Sequence, residues 1–158
     1  MKQHNYEIHV EWTGNTGEGT KTYRSYNRNY KISAAGKPEI LGSSDPSFRG
    51  DPSRYNPEDL LVASLSACHM LSYLHLCAVN HIAVLDYRDS ALGLMEENAD
   101  GSAQFTRVTL RPNVKISPCD DQAKADSLHA DAHHLCFIAR SVNFPVDVTP
   151  TITPDSTD

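Results

Sequence analysis

A long apolar helix is the feature that most constrains how this chain can fold. Residues 56–71 read NPEDLLVASLSACHML, with Asn56 suited to the N-cap position and Pro57 to the first helical position. Two carboxylates follow in the first turn, where the helix dipole favours them. The pattern predicts a helix from Asn56 to about Asn80. Apolar side chains occur on nearly all of its sides, which is typical of a central, buried helix, and Cys68 lies in its middle.

Alternating and apolar segments on both sides of this helix predict strands and one further helix. Strands are expected over 6–12, 21–32, 82–97, 101–117 and 144–153, with a Gly-rich turn at 13–20, a hairpin turn at 98–101 and a long Gly/Pro/Ser loop over 36–55. A second helix is expected from a cap at Asp120 or Asp121 to about Val142. The order ββ-α-ββ-α-β predicts an α+β fold in one domain, residues 1–158.

Charge and hydropathy exclude several classes of function. Fourteen Lys and Arg against twenty Asp and Glu give a net charge of −6, so a nucleic-acid partner is not expected. Ser and His residues interrupt the apolar stretch 60–79, and no basic run lies nearby, which argues against a membrane span or membrane partner. The N-terminal residues lack an apolar signal-peptide core, and we therefore expect a cytoplasmic protein.

The four cysteines are expected to be reduced thiols rather than a disulfide framework. Cys68 and Cys77 are nine residues apart on one helix, or about 13 Å, so they cannot bond to each other. We interpret Cys77 as a core thiol and assign no role to Cys119. Cys68 and Cys136 lie on the apolar stripes of two helices, whose packing either brings the sulfurs within disulfide reach or buries them as simple core residues.

Histidines offer a competing hypothesis. His129, His133 and Cys136 are spaced i, i+4 and i+7, so one helix face could present all three to a metal ion such as zinc, with His69 completing the set. Because paired CxxC and HExxH motifs are absent, we assign no metal ligand. A non-enzymatic redox-sensing or metal-binding dimer remains the alternative function. The roles of His69, His133 and His134 stay open.

Two segments carry a family resemblance. Residues 56–71 resemble the N-P-E-[ED]-L-L…A…[AS]-A-C helix of the OsmC/Ohr family of organic hydroperoxide reductases, and residues 132–146, AHHLCFIARSVNFPV, resemble its second helix with the second cysteine. The cysteine separation and the element order agree over essentially the whole chain. The resemblance implies an intertwined homodimer, in which antiparallel sheets wrap two central helices and the active site lies at the subunit interface.

The resemblance also implies a mechanism. Cys68 matches the peroxidatic cysteine, which an organic hydroperoxide oxidises to a sulfenic acid, and Cys136 matches the resolving cysteine, which then forms a disulfide with it. An external dithiol, a lipoyl protein in the family, reduces that disulfide, so no metal or organic cofactor is expected. Apolar side chains are expected to favour alkyl peroxides: Leu61, Leu65, Leu71, Phe137 and Ile138.

A carboxylate and an arginine complete the implied site. By itself Glu58 is a helix-dipole residue, but the resemblance matches it to the carboxylate that holds the catalytic arginine. Glu58 is ten residues, about 15 Å, from Cys68 along an ideal helix, so it must act from another subunit or through a long arginine. The resemblance favours Arg28 in the first hairpin and next Arg49 in the loop before the helix; Arg24 and Arg54 also stay open. Cys-Phe at Cys136, where the family commonly has Cys-Pro, indicates a distinct subgroup, so the substrate and electron donor stay open.

Overall fold

A computed structural model describes residues 2–155 and contains two helices and nine strands in that range. The helices are α1 (Pro57–Val79) and α2 (Gln122–Leu135). The strands are β1 (His9–Trp12), β2 (Tyr30–Ser33), β3 (Ile40–Gly42), β4 (Val84–Asp89), β5 (Leu92–Glu97), β6 (Ala103–Leu110), β7 (Pro112–Ile116), β8 (Val146–Val148) and β9 (Thr151–Pro154). The predicted α+β class is confirmed. The chain divides after Leu60 into two compact units, which are described in turn.

The first unit contains an antiparallel sheet of β1, β2 and β3. Its first strand begins at His9 rather than at Tyr6, and all four of its residues are exposed, so the prediction of a half-buried strand is wrong. Val10, Ile32 and Ile40 lie opposite one another across the three strands and therefore share one face. This unit presents an apolar sheet face that its own residues leave partly open.

The predicted returning strand over 21–32 is wrong for most of its length, because only Tyr30–Ser33 form β2. The preceding residues form a compact loop closed by side chains. Asn15 Oδ1 accepts hydrogen bonds from the backbone N–H groups of Gly17 and Gly19, at 2.9 and 3.0 Å. Trp12 Nε1 donates to the Asn27 carbonyl at 2.8 Å. These side-chain bonds compete with strand pairing, which the alternation of tyrosines does not reveal.

The loop predicted over 36–55 contains a strand and a short 3₁₀ helix. β3 pairs with β2, and Pro46–Phe48 form the 3₁₀ turn, whose end is fixed by a backbone hydrogen bond from Gly50 to Asp45. A side chain at Gly50 would collide with the Ser44 carbonyl, since its Cβ would lie 1.5 Å from that oxygen. The segment before α1 is therefore a folded structure rather than an extended loop.

α1 has the predicted bounds to within one residue. The Asn56 side chain accepts a hydrogen bond from the Asp59 N–H at 2.7 Å, and the Asp59 carboxylate accepts one from the Asn56 N–H at 3.2 Å. This reciprocal capping fixes the start of the helix, as the sequence predicts.

The prediction that α1 is buried on all sides is wrong for a single chain. One stripe is buried: Leu65, His69, Tyr73 and Cys77. On the opposite side Ala63, Ala67, Leu71 and His75 are exposed, because the surrounding elements cover only one face. By length and composition α1 could also cross a membrane, a test that core helices of soluble proteins pass as well.

The second unit contains two three-stranded sheets, ordered β4-β7-β9 and β5-β6-β8. The predicted strands 82–97, 101–117 and 144–153 each split into two, which gives four strands between the helices and two after α2. With β3, three strands precede α1. The Asp89 carboxylate accepts a hydrogen bond from the Arg111 N–H at 2.7 Å, which ties together two of the points where the chain changes sheets. The hairpin predicted at 98–101 is confirmed between β5 and β6.

α2 begins after Asp121, one of the two predicted caps, whose side chain accepts from the Lys124 N–H at 3.0 Å. The helix ends at Leu135, well before the predicted Val142, because Cys136 adopts an extended conformation with φ −69° and ψ 108°. Its buried face packs against the β4-β7-β9 sheet in a core that includes Ala125, Leu128 and Ala132. Cys136 is therefore a helix cap rather than a helical residue.

Candidate active site

Two thiols from different elements meet in the second unit. Cys68 lies in the middle of α1 and is half-buried, whereas Cys136 caps α2 and is only 1% exposed. The Cys68 side chain lies close enough to the Cys136 thiol to affect its pKa. The structure thus brings together the two cysteines that the resemblance pairs. Both are free thiols.

The surroundings of Cys136 favour its protonated form. Burial raises the pKa of the Cys136 thiol, and the nearby Cys68 side chain raises that pKa further. The end of α2 acts in the same direction, since a helix C-terminus carries partial negative charge. The pKa of Cys136 is raised to about 11, so this thiol is protonated near neutral pH.

Backbone amides act in the opposite direction on Cys136. The Ala139 N–H donates to the Cys136 sulfur at 3.4 Å, and the Ile138 N–H also lowers the pKa of this thiol. Both amides belong to the turn that follows α2, so they point at the sulfur in its resting position. They are placed to stabilise negative charge on Cys136 if the thiol loses its proton.

Cys77 has a different environment, and its prediction as a core thiol agrees with its burial. It lies on the buried stripe of α1, is 1% exposed, and lies near Tyr73, whose hydroxyl donates to the Ala125 carbonyl. Burial raises the pKa of the Cys77 thiol, and the nearby Tyr73 hydroxyl only partly offsets this effect. Cys119 is exposed before α2. Neither sulfur is among the groups that affect the pKa of Cys136.

An apolar cleft is lined by residues that neighbour Cys68 and Cys136 in the sequence. It has a volume of about 300 Å³ and is lined by Leu71, Ser72, His75, Leu135 and Phe137. Leu71 and Phe137 are 63% and 77% exposed. Leu71 lies one helical turn after Cys68, and Phe137 directly follows Cys136. Of the five predicted apolar wall residues, these two line the cleft, whereas Leu65 is buried and Leu61 and Ile138 pack in the core beneath.

Glu58 carries an unpaired carboxylate oxygen in the first unit. Its Oε2 atom is shielded from solvent and has no hydrogen-bond partner among the described residues. Tyr30 lies nearby: burial, and next the charges of Glu58 and Asp59, raise the pKa of its hydroxyl. A buried carboxylate oxygen without a donor is costly, so this position favours an additional cation or N–H donor.

Arg28 is held by its own loop. Its two terminal nitrogens donate to the carbonyl oxygens of Tyr26 and Tyr23, at 2.7 and 2.6 Å. Its guanidinium carbon also lies 4.2 Å from the centre of each of these two tyrosine rings. In this conformation Arg28 stabilises the loop between β1 and β2.

The remaining arginines differ in their contacts. Arg54 pairs with Asp51 at 3.3 Å. Arg49 is exposed, forms no ion pair with any described residue, and ends the 3₁₀ turn with a positive φ of 64°. A non-glycine residue in this conformation is uncommon and is held here by the hydrogen bond from its N–H to the Pro46 carbonyl. Arg24 is also exposed. The Arg49 guanidinium carbon lies 5.9 Å from the centre of the Tyr23 ring, a looser contact than those of Arg28.

The histidines do not form the arrangement that the metal hypothesis requires. His69 Nε2 and His129 Nδ1 lie 3.0 Å apart in a hydrogen bond between α1 and α2, while the nearby side chain that affects the Cys136 thiol is Cys68. Within residues 2–155, no group of three or more His, Cys, Asp or Glu is arranged to hold a metal ion. His134 is exposed and His133 is half-buried.

Sequence reasoning missed this buried histidine pair. His69 and Tyr73 are spaced i, i+4, as are Ala125 and His129, and both pairs lie on buried helix faces. That spacing shows which residues share a face but not which helix faces meet. The only available signal was that two polar residues occur on apolar stripes, where a buried polar group needs a partner.

Comparison with known proteins places this arrangement in a family. The family described as OsmC-like protein matches residues 50–151. An OsmC-like protein of unknown function from Vibrio cholerae O1 biovar eltor str. N16961 is 31% identical, with a TM-score of 0.84 over 94% of this chain and 100% of that one. No curated protein matches the chain.

More distant structures share the fold. An organic hydroperoxide resistance protein from Elizabethkingia anophelis, with thiocyanate bound, is 20% identical, with a TM-score of 0.67 over 98% of this chain and 100% of that one. An organic hydroperoxide resistance protein from Legionella pneumophila, OsmC, is 18% identical, with a TM-score of 0.63 over 96% and 99%. Together with the family match over more than half of its length, these likenesses lead to one conclusion: this chain belongs to the OsmC-like protein family.

Proposed function

We propose that this protein is a thiol-dependent peroxidase that reduces organic hydroperoxides to alcohols. The observation that carries the proposal is the proximity of the half-buried Cys68 to the buried Cys136, both of which are free thiols. Membership of the OsmC-like family supports an oxidative-stress role, and two structural neighbours are named organic hydroperoxide resistance proteins. The apolar cleft beside the thiols suits an alkyl group.

The chemistry balances with the two thiols and an external dithiol. The Cys68 thiolate attacks the distal oxygen of ROOH, the O–O bond breaks, and the alkoxide takes a proton from solvent to leave as ROH. The product at Cys68 is a sulfenic acid. The Cys136 sulfur then attacks the Cys68 sulfur, and the departing hydroxide leaves with the Cys136 proton as water. A dithiol reduces the resulting disulfide by two exchange steps and is itself oxidised.

A cation is needed to keep Cys68 ionised, and we propose that an arginine oriented by Glu58 supplies it from the other subunit of a homodimer. The buried, unpaired Oε2 of Glu58 supports this role, since a guanidinium would satisfy it. The contacts favour Arg49, because Arg28 already donates to two carbonyls and stacks on two tyrosines. Arg28 stays a prediction as the alternative.

Exposed apolar surfaces support the homodimer. In the second unit, α1 exposes Ala63, Ala67 and Leu71 on one face, where the two alanines would let another helix approach and Leu71 would pack against it. In the first unit, the sheet leaves Val10 and Ile40 exposed. Exposed apolar side chains at such density mark an interaction surface. A second copy of the chain would bury both.

The direct test is consumption of an alkyl hydroperoxide with a dithiol donor. We expect the unmodified protein to turn over and Cys68→Ser to lose turnover, because serine cannot form the sulfenic acid. Cys77→Ser is the matched control, since it removes a second thiol from the same helix and is expected to keep activity. Activity of Cys68→Ser near that of the unmodified protein would contradict the proposal.

A further inference from the structure

We propose that His69 and His129 are positioning residues, whose hydrogen bond sets the register of α1 against α2 and thereby holds Cys68 against Cys136. The inference rests on the proposed function for its biological meaning. Its geometry concerns only the thiol pair. We call the four residues that join the helices, His69, Tyr73, Ala125 and His129, the helix clasp.

The helix clasp consists of directional contacts in a dry core. His69 Nε2 and His129 Nδ1 are 3.0 Å apart, and the two side chains are 0% and 4% exposed. The Tyr73 ring stacks on the His129 ring with a centroid separation of 3.8 Å and an interplanar angle of 10°. The Tyr73 hydroxyl donates to the Ala125 carbonyl at 3.2 Å. Each contact has one geometry, and together they allow one register.

The apolar contacts of α2 are less selective. Its buried apolar residues are Ala125, Leu128 and Ala132, and two of these three have only a methyl group as side chain. Alanines form shallow ridges, and burial of apolar area is non-directional, so a helix with such a face can slide at low cost. The polar contacts of the helix clasp are therefore what distinguishes one register from the next.

The histidine pair is poorly explained as a source of stability. His69 Nδ1 and His129 Nε2 are both buried without a hydrogen-bond partner in residues 2–155. Whichever histidine donates in the pair, the acceptor ring keeps its own N–H unpaired. An unpaired buried donor costs about 1–3 kcal/mol, which offsets the bond gained. A buried polar pair of this kind is better explained by the arrangement it specifies.

The thiols depend on this register. His69 follows Cys68 directly on α1, and His129 lies on the helix that Cys136 caps. A slip of one residue moves one helix by about 1.5 Å along its axis. Disulfide formation requires a Cβ–Cβ separation of about 3.5–4.5 Å, so a slip of this size removes the pair from bonding range.

The test measures how strongly the protein favours its own disulfide. The effective concentration of Cys68 and Cys136 is read from the thiol–disulfide equilibrium with dithiothreitol, in which no peroxide takes part. The apolar variant His69→Leu/His129→Leu removes the bond. The polar variant His69→Gln/His129→Asn keeps it, because Gln places its amide near the former Nε2 position and Asn near the former Nδ1 position. Val114→Ala is the control, since it removes buried volume from the core that holds α2 while keeping all four residues of the helix clasp.

We expect the apolar variant to fold and its effective concentration to fall at least about tenfold, while the polar variant and Val114→Ala stay within about threefold of the unmodified protein. An unchanged effective concentration in the apolar variant would overturn the proposal. Unfolding of the apolar variant beside a folded polar variant would overturn it as well, because the pair would then hold the fold itself. A protein that consumes no peroxide refutes the proposed function, and the dithiothreitol equilibrium still tests the positioning role.

Discussion

The middle and the end of α1 place a cysteine in opposite surroundings. In the middle, Cys68 is half-buried, lies near a second thiol and is one helical turn from the apolar cleft residue Leu71. Near the end, Cys77 is sealed in the core beside a tyrosine hydroxyl. Both residues lie in the same apolar helix. The difference shows that the partner side chain and the access to solvent, rather than the helix, separate a reactive thiol from a packing one.

The largest effect that sharpens this comparison is expected from Cys136→Ser. Without the second thiol, Cys68 can still reduce one equivalent of alkyl hydroperoxide, but its sulfenic acid has no partner and turnover with a dithiol falls by roughly 100-fold or more. Trapping with dimedone and mass measurement would detect one adduct per chain, at Cys68. Undiminished turnover in this variant would break the link between the two thiols.

Alkylation compares the two cysteines directly. In the native protein we expect iodoacetamide to modify Cys68 at least about 100 times faster than Cys77, because Cys77 is buried and its pKa is raised. In denaturant the two rates should converge. Peptide mass analysis after timed quenching measures both. Equal rates in the native protein would contradict the difference in environment between Cys68 and Cys77.

Acid is expected to weaken the core that separates the two cysteines. Burial lowers the pKa of His69 to about 4 and that of His129 to about 3. In the unfolded chain both histidines have a pKa near 6.5. The unfolded chain therefore binds more protons below pH 6.5, and stability falls as the pH drops from about 6.5 towards 4. We expect a loss on the order of 2 kcal/mol in the free energy of unfolding after screening.

Urea unfolding at pH 7 and pH 4.5 measures this loss, and other carboxylates and histidines contribute to the total. The His69→Leu/His129→Leu variant serves as the reference, since it lacks the pair. A smaller pH dependence in that variant is expected. The same pH dependence in both proteins would contradict the assignment of the titrating groups.

The smallest effect concerns the end of α1 beyond Cys77. His81 follows the helix with a φ of 60°, a left-handed conformation that favours glycine. His81→Gly is expected to raise the free energy of unfolding by about 0.5–1 kcal/mol, with no effect on the thiol pair. Urea unfolding measures the gain, and His81→Ala is the matched control, expected to be neutral or destabilising. A gain for alanine equal to that for glycine would contradict this explanation.

Features that depend on neighbouring residues could be predicted from the sequence, whereas features that depend on distant contacts could not. The bounds of α1 follow from Asn56, Asp59 and a continuous apolar run, which are local signals, and the structure has them. The thiol pairing came from the family resemblance; spacing alone allowed it without requiring it. The single buried stripe of α1 was not predictable, because composition does not show how many faces a single chain can cover.

The parts that were missed depend on contacts between distant residues. The early end of α2 depends on the extended conformation of Cys136 and the turn behind it, while the apolar pattern continues past the break to Val142. The breaks between strands near Ser90 and Arg111 depend on a hydrogen bond from the Arg111 N–H to Asp89, which lies 22 residues earlier in the chain. Arg28 looked available in the sequence, and only its bonds to two carbonyls show that it is held.

The central claim is that Cys68 and Cys136 act as one redox pair, and peptide mass mapping tests it most directly. The reduced protein is treated with one equivalent of an alkyl hydroperoxide, quenched by alkylation and digested without reductant. We predict a Cys68–Cys136 disulfide, with Cys77 and Cys119 recovered as alkylated thiols. A disulfide joining Cys68 to Cys77 or Cys119, or four free thiols after the peroxide is consumed, would contradict the account.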